Sequence, residues 1–303
     1  MQQRSKRFVA VDIIYLCIAV LPILFGMVLK ILTSPVEEGI SISGAQIYFT
    51  IPMPIQDLPI TSAQINSAIV IVSIFGLCLY FTHELSARKP LARQRAIEWV
   101  IEKTEAMVGD SMGEFFSGYA PFIASILAIS AFSSLLTLVG LFPPTSDINV
   151  VAGWAILVFI LITYYKLKGG FFNYLKGFTE PIFVMAPLNV LGEIATPVSM
   201  AFRHYGNVLS GSVIAVLISS ALAGLSRLVL GWLPGFLGDI PFLQIGLPAV
   251  LSVYFDIFSG CMQAYIFAML TMLNVSGAFP QDAYELRLKK KAEKKAKKAE
   301  KAA

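Results

Sequence analysis

Residues 196–207 read TPVSMAFRHYGN, and they lie inside an apolar helical stretch, Met185 to Leu225, whose only other basic residue is His204. An arginine at the centre of a membrane helix costs roughly 2.5–3.5 kcal/mol on insertion scales, so it persists where it faces protein or a wet cavity. Arg203 is therefore the first candidate functional residue. At helical spacing its face carries Thr196, Ser199, Gly206, Asn207 and Ser210, while Met200, Phe202, Val208 and Leu209 point elsewhere. A stripe of small and polar side chains accompanies the charge.

Composition widens the inference from this stretch to the whole chain. Of 303 residues, 56% are hydrophobic and 14% charged, a balance beyond what a soluble core of this size needs. The chain reads as an all-α polytopic membrane protein. Cys17, Cys78 and Cys261 stand far apart inside apolar runs and are expected as small buried hydrophobes, neither disulfides nor ligands. With His83 and His204 the only histidines, a histidine metal centre is not expected, and no cofactor motif appears. H-E-x-x-H, the P-loop pattern and G-x-G-x-x-G are absent from the sequence.

Working outward, Arg4, Lys6 and Arg7 precede an apolar run from Phe8 to Leu32, interrupted by Asp12 and Lys30. No small-residue cleavage site follows, so a retained spanning helix over 1–33 is expected rather than a signal peptide. Residues 34–63 hold four prolines with Glu37, Glu38 and Asp57 and no Lys or Arg, which suits an extracytoplasmic loop. A second span covers about 64–81, and a basic patch of Arg88, Lys89, Arg93 and Arg95 follows it. Ala96, Ile97, Val100, Ile101, Thr104 and Val108 then share one face, predicting an amphipathic interfacial helix. A third span (about 120–142), a turn with Asp147 and Asn149, and a fourth span (about 150–165) lead to a basic loop with Lys166, Lys168 and Lys176.

The arginine helix, about 187–222, and a last apolar segment, about 248–278, complete six membrane segments. At 1.5 Å per residue these two reach roughly 45–55 Å against a hydrocarbon core of about 30 Å, so a tilted or bent helical hairpin is expected, with Pro197 a possible bend. The membrane domain thus spans 64–279, and a Lys-rich tail occupies 280–303. Alternating the loops places all but Lys30, Arg203 and Arg227 of the 23 Lys and Arg residues on one side, which predicts both termini in the cytoplasm. The tail is expected to be solvated beside the bilayer, and no nucleic-acid partner is expected.

Four further positions carry chemistry in this reading, each with a bland alternative. Asp256, the last segment's sole carboxylate, shares a face with Ser252, Ser259 and Gln263, and relay duty competes with a pinning salt bridge to Arg203 or a helix end. Glu193, about three turns before Arg203, is either an ion-entry group or an interfacial glutamate. Asp147 is a path residue or a turn former. His204 is expected to be a packing histidine. A self-contained transporter or channel binding an anion at Arg203 stays open as an alternative, although no internal repeat is visible. An intramembrane enzyme lacks a nucleophile with a base.

Three stretches in order, PPTSDINVVAGWAILVFILITYYKLKG (143–169), PVSMAFRHYGN (197–207) and MQAYIFAMLTML (262–273), resemble subunit a of the rotary F-type ATP synthase. The resemblance covers roughly residues 46–279. It implies a non-catalytic stator in a bacterial cell membrane, packed against the ring of c subunits and bound to peripheral-stalk b subunits. It implies two half-channels for H⁺ or Na⁺, with Arg203 as the coupling arginine facing the ring carboxylates, Gln263 opposite it and Asn207 nearby. Many members carry a glutamate nine residues after the arginine where this chain has Ser212, and His or Glu seven residues before the glutamine where it has Asp256. The implied outer path is Asn207, Gln263, Asp256, Ser212 and Asp147, and the inner one Glu193, Thr196 and Ser199.

Overall fold

Apolar runs of twenty or more residues satisfy their backbone polar groups within themselves only as helices, and this chain has six such helices among its described residues. The computed structural model describes residues 6–33, 44–54, 56–87, 90–179, 182–230, 246, 250–251, 253–282, 284–286 and 289. Expectations resting on Glu37, Glu38, Arg88, Lys89 and Ser252, and on the tail beyond 289, lie outside these residues.

Helix α1 (Lys6–Thr33) is followed by an antiparallel hairpin, β1 (Ile47–Ile51) with β2 (Leu58–Thr61), registered through Ile51↔Leu58 and Thr50↔Pro59. Then come α2 (Ser62–Thr82), α3 (Ala92–Met112), α4 (Ala120–Leu135), α5 (Ile148–Lys168), the short α6 (Phe171–Thr179) and α7 (Ala186–Leu230). A π-helical turn, Val253–Ser259, runs into α8 (Gly260–Gly277). The hairpin is unforeseen inside the expected loop. Its run IYFTI is rich in β-branched and aromatic residues, the composition that favours a strand.

The main core joins α3, α4, α5, α7 and α8 through Val108, Ile123, Val158, Met200, Phe267 and Met272. A second cluster, Val70 with Leu136 and Leu141, is covered by Ile23 and Met27, so α1 packs through α2 onto the end of α4. Gly76 makes the α1–α2 approach possible: a Cβ there would stand 2.6 Å from the Ala19 nitrogen. Gly260 does the same for α8 against Ser134 of α4.

Three expectations change. α3 is helical as predicted, but its apolar residues divide: Thr104 and Val108 turn inward with Met112, while Trp99, Val100 and Ile101 stay exposed. The second half of α3 is thus core. Arg93 is not a solvated patch residue. It is buried, with Nη1 2.7 Å from Asp12 Oδ1 and Nη2 donating to the His83 carbonyl at 2.7 Å. The three cysteines are exposed rather than buried. In a membrane protein the outer surface is itself apolar, so a small apolar side chain faces outward without penalty.

Candidate functional site

The site is organised along α7, a 45-residue helix running unbroken through Pro197. Proline has no N–H, so it removes the bond to the carbonyl four residues earlier, that of Glu193. One side of α7 is buried through Pro197, Met200, Ala201, His204 and Gly211. Ala201 packs with Val151 and Ala155 of α5, small residues that let the two backbones approach. This rotation leaves Ser199, Arg203, Asn207 and Ser210 exposed, alongside Leu188, Leu191, Val198 and Phe202.

Arg203 therefore projects from an open flank. Among the described residues it has no hydrogen bond, ion pair or ring contact. The pinning salt bridge to Asp256 weighed from sequence is not formed in this chain. His204, one residue on, is fully buried between Trp154 and Phe267, at ring-centroid distances of 5.8 and 5.5 Å. Its Nε2 lies 3.4 Å from Ser130 Oγ, and its Nδ1 has no protein partner. Packing, as expected, is its role, with one polar atom left over.

On the C-terminal side of Arg203, near the middle of α7, Asn207, Ser212, Asp256 and Gln263 line a cavity of about 450 Å³. Asn207 Nδ2 donates to Gln263 Oε1 at 3.0 Å, tying α7 to α8. Gln263 is 2% exposed, so this amide is held in place. Asp256 rides on the π-helical turn, whose wider winding is common at functional positions. Ser212 Oγ is turned back onto the Leu209 carbonyl at 2.8 Å. Asp147 is not brought into this group. It caps α5, accepting from the Asn149 backbone N at 2.9 Å and from Asn149 Nδ2 at 3.0 Å, and it is not among the residues lining the cavity.

On the N-terminal side of Arg203, Glu193 and Thr196 line a cavity of about 230 Å³ with Lys166 and Asn274. Glu193 Oε1 is 3.2 Å from Lys166 Nζ and accepts from the Tyr174 hydroxyl at 3.1 Å. Burial, and then the bond to the Glu193 carboxylate, push the Tyr174 hydroxyl up to about 12. Glu193 also faces a neighbouring cavity of about 460 Å³ beneath α6. Ser199 lies on the exposed flank between Thr196 and Arg203 and lines neither of these two cavities.

Sequence reading missed the partners. Lys166 was one member of a basic loop, and the Asp12–Arg93–His83 cluster was not foreseen. The available signal was a charged residue interrupting an apolar run, which needs a counter-charge somewhere. Among the described residues no group of three His, Cys, Asp or Glu side chains is placed to hold a metal.

Among the described residues, six apolar helices, one of them long and exposed along the side that carries its arginine, define a multi-pass membrane protein. Residues 65–276 match the family described as ATP synthase A chain, and the chain belongs to that family. It is 31% identical over 233 residues to ATP synthase subunit a of Trichlorobacter lovleyi, covering 74% of this chain and 91% of that protein. To ATP synthase subunit a of Priestia megaterium it is 31% identical over 244 residues, covering 75% and 97%. To the sodium ion specific ATP synthase subunit a of Propionigenium modestum it is 26% identical over 275 residues, covering 80% and 88%. Membership makes this chain a membrane subunit of an ATP synthase.

Proposed function

We propose that the chain is the stator of the ion-driven rotor, with Arg203 as the fixed charge that couples ion movement to rotation. The observation that carries this reading is the exposure of Arg203 on the open flank of α7, with one cavity on its C-terminal side and another on its N-terminal side along that helix. Thr196 is seven residues before it and Asn207 four after, roughly 10 and 6 Å along the axis.

A guanidinium stays charged, with a pKa above about 12, and lowers the pKa of a carboxylate passing within about 4–6 Å. Ring carboxylates of the c subunits sliding along the open flank would each be made to give up their ion at Arg203. The same charge repels a cation moving straight from one cavity to the other. Asn207, Gln263, Asp256 and Ser212 line the outer access in this proposal, and Glu193, Thr196 and Ser199 the inner one. Asp147, as a cap, shapes the outer rim. Each charge crossing a 100 mV potential releases about 2.3 kcal/mol, which drives the rotation. Peripheral-stalk b subunits hold the chain still, the bilayer is a bacterial cell membrane, and both termini face the cytoplasm. A transporter reading requires the arginine to look inward, and the outward flank does not favour it.

Arg203→Ala in the whole complex is the test. ATP-driven proton pumping in inverted vesicles is expected to fall to background while the subunit stays in the membrane at normal abundance. Normal pumping by that variant would falsify the assigned role.

A further inference from the structure

A second polar cavity, of about 910 Å³, lies against the outer one. Its lining includes Lys30 of α1, Gln46 and Tyr48 of the hairpin segment, and Ser62 and Asn66 of α2. The two cavities share Gly44, Thr137, Phe142 and Pro143, so the turn after α4 is a common wall. That wall is fastened from the larger chamber: Asn66 Nδ2 donates to the Phe142 carbonyl at 2.7 Å, and Lys30 Nζ donates to the carbonyl of Gly140. Gly140 sits at φ +74°, a reversal that suits glycine. Gln46 Nε2 donates to the Thr33 carbonyl at 2.7 Å, closing the hairpin segment onto the end of α1.

Such a space, with amide, hydroxyl and carbonyl groups on several sides, offers waters the two to four partners they need. Lys30 is the one charged residue lining it among the described residues. Lys30, Gln46, Tyr48 and Ser62 all precede residue 65, where the family match begins.

We propose that this chamber is the mouth of the outer ion path and that Lys30 is a specificity-determining residue within it, a fixed positive charge that thins out cations at the entrance. The inference rests on the reading of the Asn207–Gln263 cavity as the outer access. Low-dielectric walls focus the field of such a charge, and salt shortens its reach from about 30 Å at 0.01 M to about 8 Å at 0.15 M. Its signature is therefore a salt-dependent entry rate.

The experiment uses the assembled enzyme with Cys17, Cys78 and Cys261 replaced by Ser and with Lys30→Cys added. The new thiol is modified from the outer face with a cationic or an anionic thiosulfonate, and gradient-driven ATP synthesis is measured. At about 10 mM salt the anionic adduct is expected to run about threefold faster than the cationic one, and at about 300 mM the two are expected to converge. Because Lys30 also tethers Gly140, the pair Tyr48→Glu and Tyr48→Lys repeats the comparison with that tether intact, and the same order is expected. Equal rates for both charges at low salt, or a thiol that the reagents never reach, overturns the inference. The Arg203→Ala complex separates the two claims: if it stays uncoupled while the charge pairs are indistinguishable, only the mouth is wrong. If it couples normally, the underlying reading fails first.

Discussion

Asp12 interrupts an apolar run, and its carboxylate meets Arg93 at 2.7 Å and His83 at 3.0 Å, far along the chain. Phe8 and Tyr80 flank the guanidinium, with ring centroids 5.2 and 4.9 Å from its carbon. Removing one member of such a cluster strands the other charge. Asp12→Ala is expected to cost roughly 2 kcal/mol, less than a deeply buried pair because the cluster lies near helix ends and water. The check is a melting midpoint several degrees lower for the purified complex. On α6, in the basic stretch after α5, the Tyr174 hydroxyl, raised to about 12, contributes fully below its ordinary value near 10 and is lost only as pH climbs through 12. Across neutral pH it stays a donor to Glu193. That Asp12 and Glu193 needed explaining was legible in the sequence, since each stands in apolar surroundings. Which lysine or arginine answers each was not, because helical periodicity says nothing about contacts between distant segments.

Elements were legible where the apolar period was long, and α7 proved longer than expected, 45 residues against the predicted span of 187–222. Its extra turns carry Gly224, Ser226 and Arg227, residues that read in sequence as the end of a span, yet the helix runs on with Leu225, Leu228 and Val229 exposed. The π-helical turn at Val253–Ser259 was not legible, because winding depends on how Phe255 packs beside Gly211 rather than on residue type alone. It has a testable effect. Deleting one residue from this turn, so that α-helix resumes, removes the wider winding that carries Asp256 and re-aims it relative to Gln263. Proton-driven synthesis is expected to drop about as much as in Asp256→Asn, while the amount of assembled complex is unchanged. Equal synthesis in the deletion, the Asn variant and the parent enzyme would reduce Asp256 to a structural residue.

At the scale of the whole molecule, the six spans among the described residues, an even number, would return the chain to the side where it entered. Reporter fusions that fluoresce only in the cytoplasm are expected to light up at both the N- and the C-terminus, and a dark fusion at either end refutes the proposed orientation. Composition and apolar period made this architecture readable, whereas the chamber beside Lys30 depends on a hairpin and a turn that meet only after folding. The length of α7 has one last consequence. At about 68 Å, with exposed apolar side chains toward both ends, it is more than twice as long as a layer of about 30 Å, which an upright helix of that length would overshoot. On the proposed function the helix leans, Glu193 and Ser212 would then be offset sideways as well as in depth, and their openings would meet different spokes of a wheel turning past. The hand of that lean would decide whether a given ion gradient drives the wheel clockwise or anticlockwise.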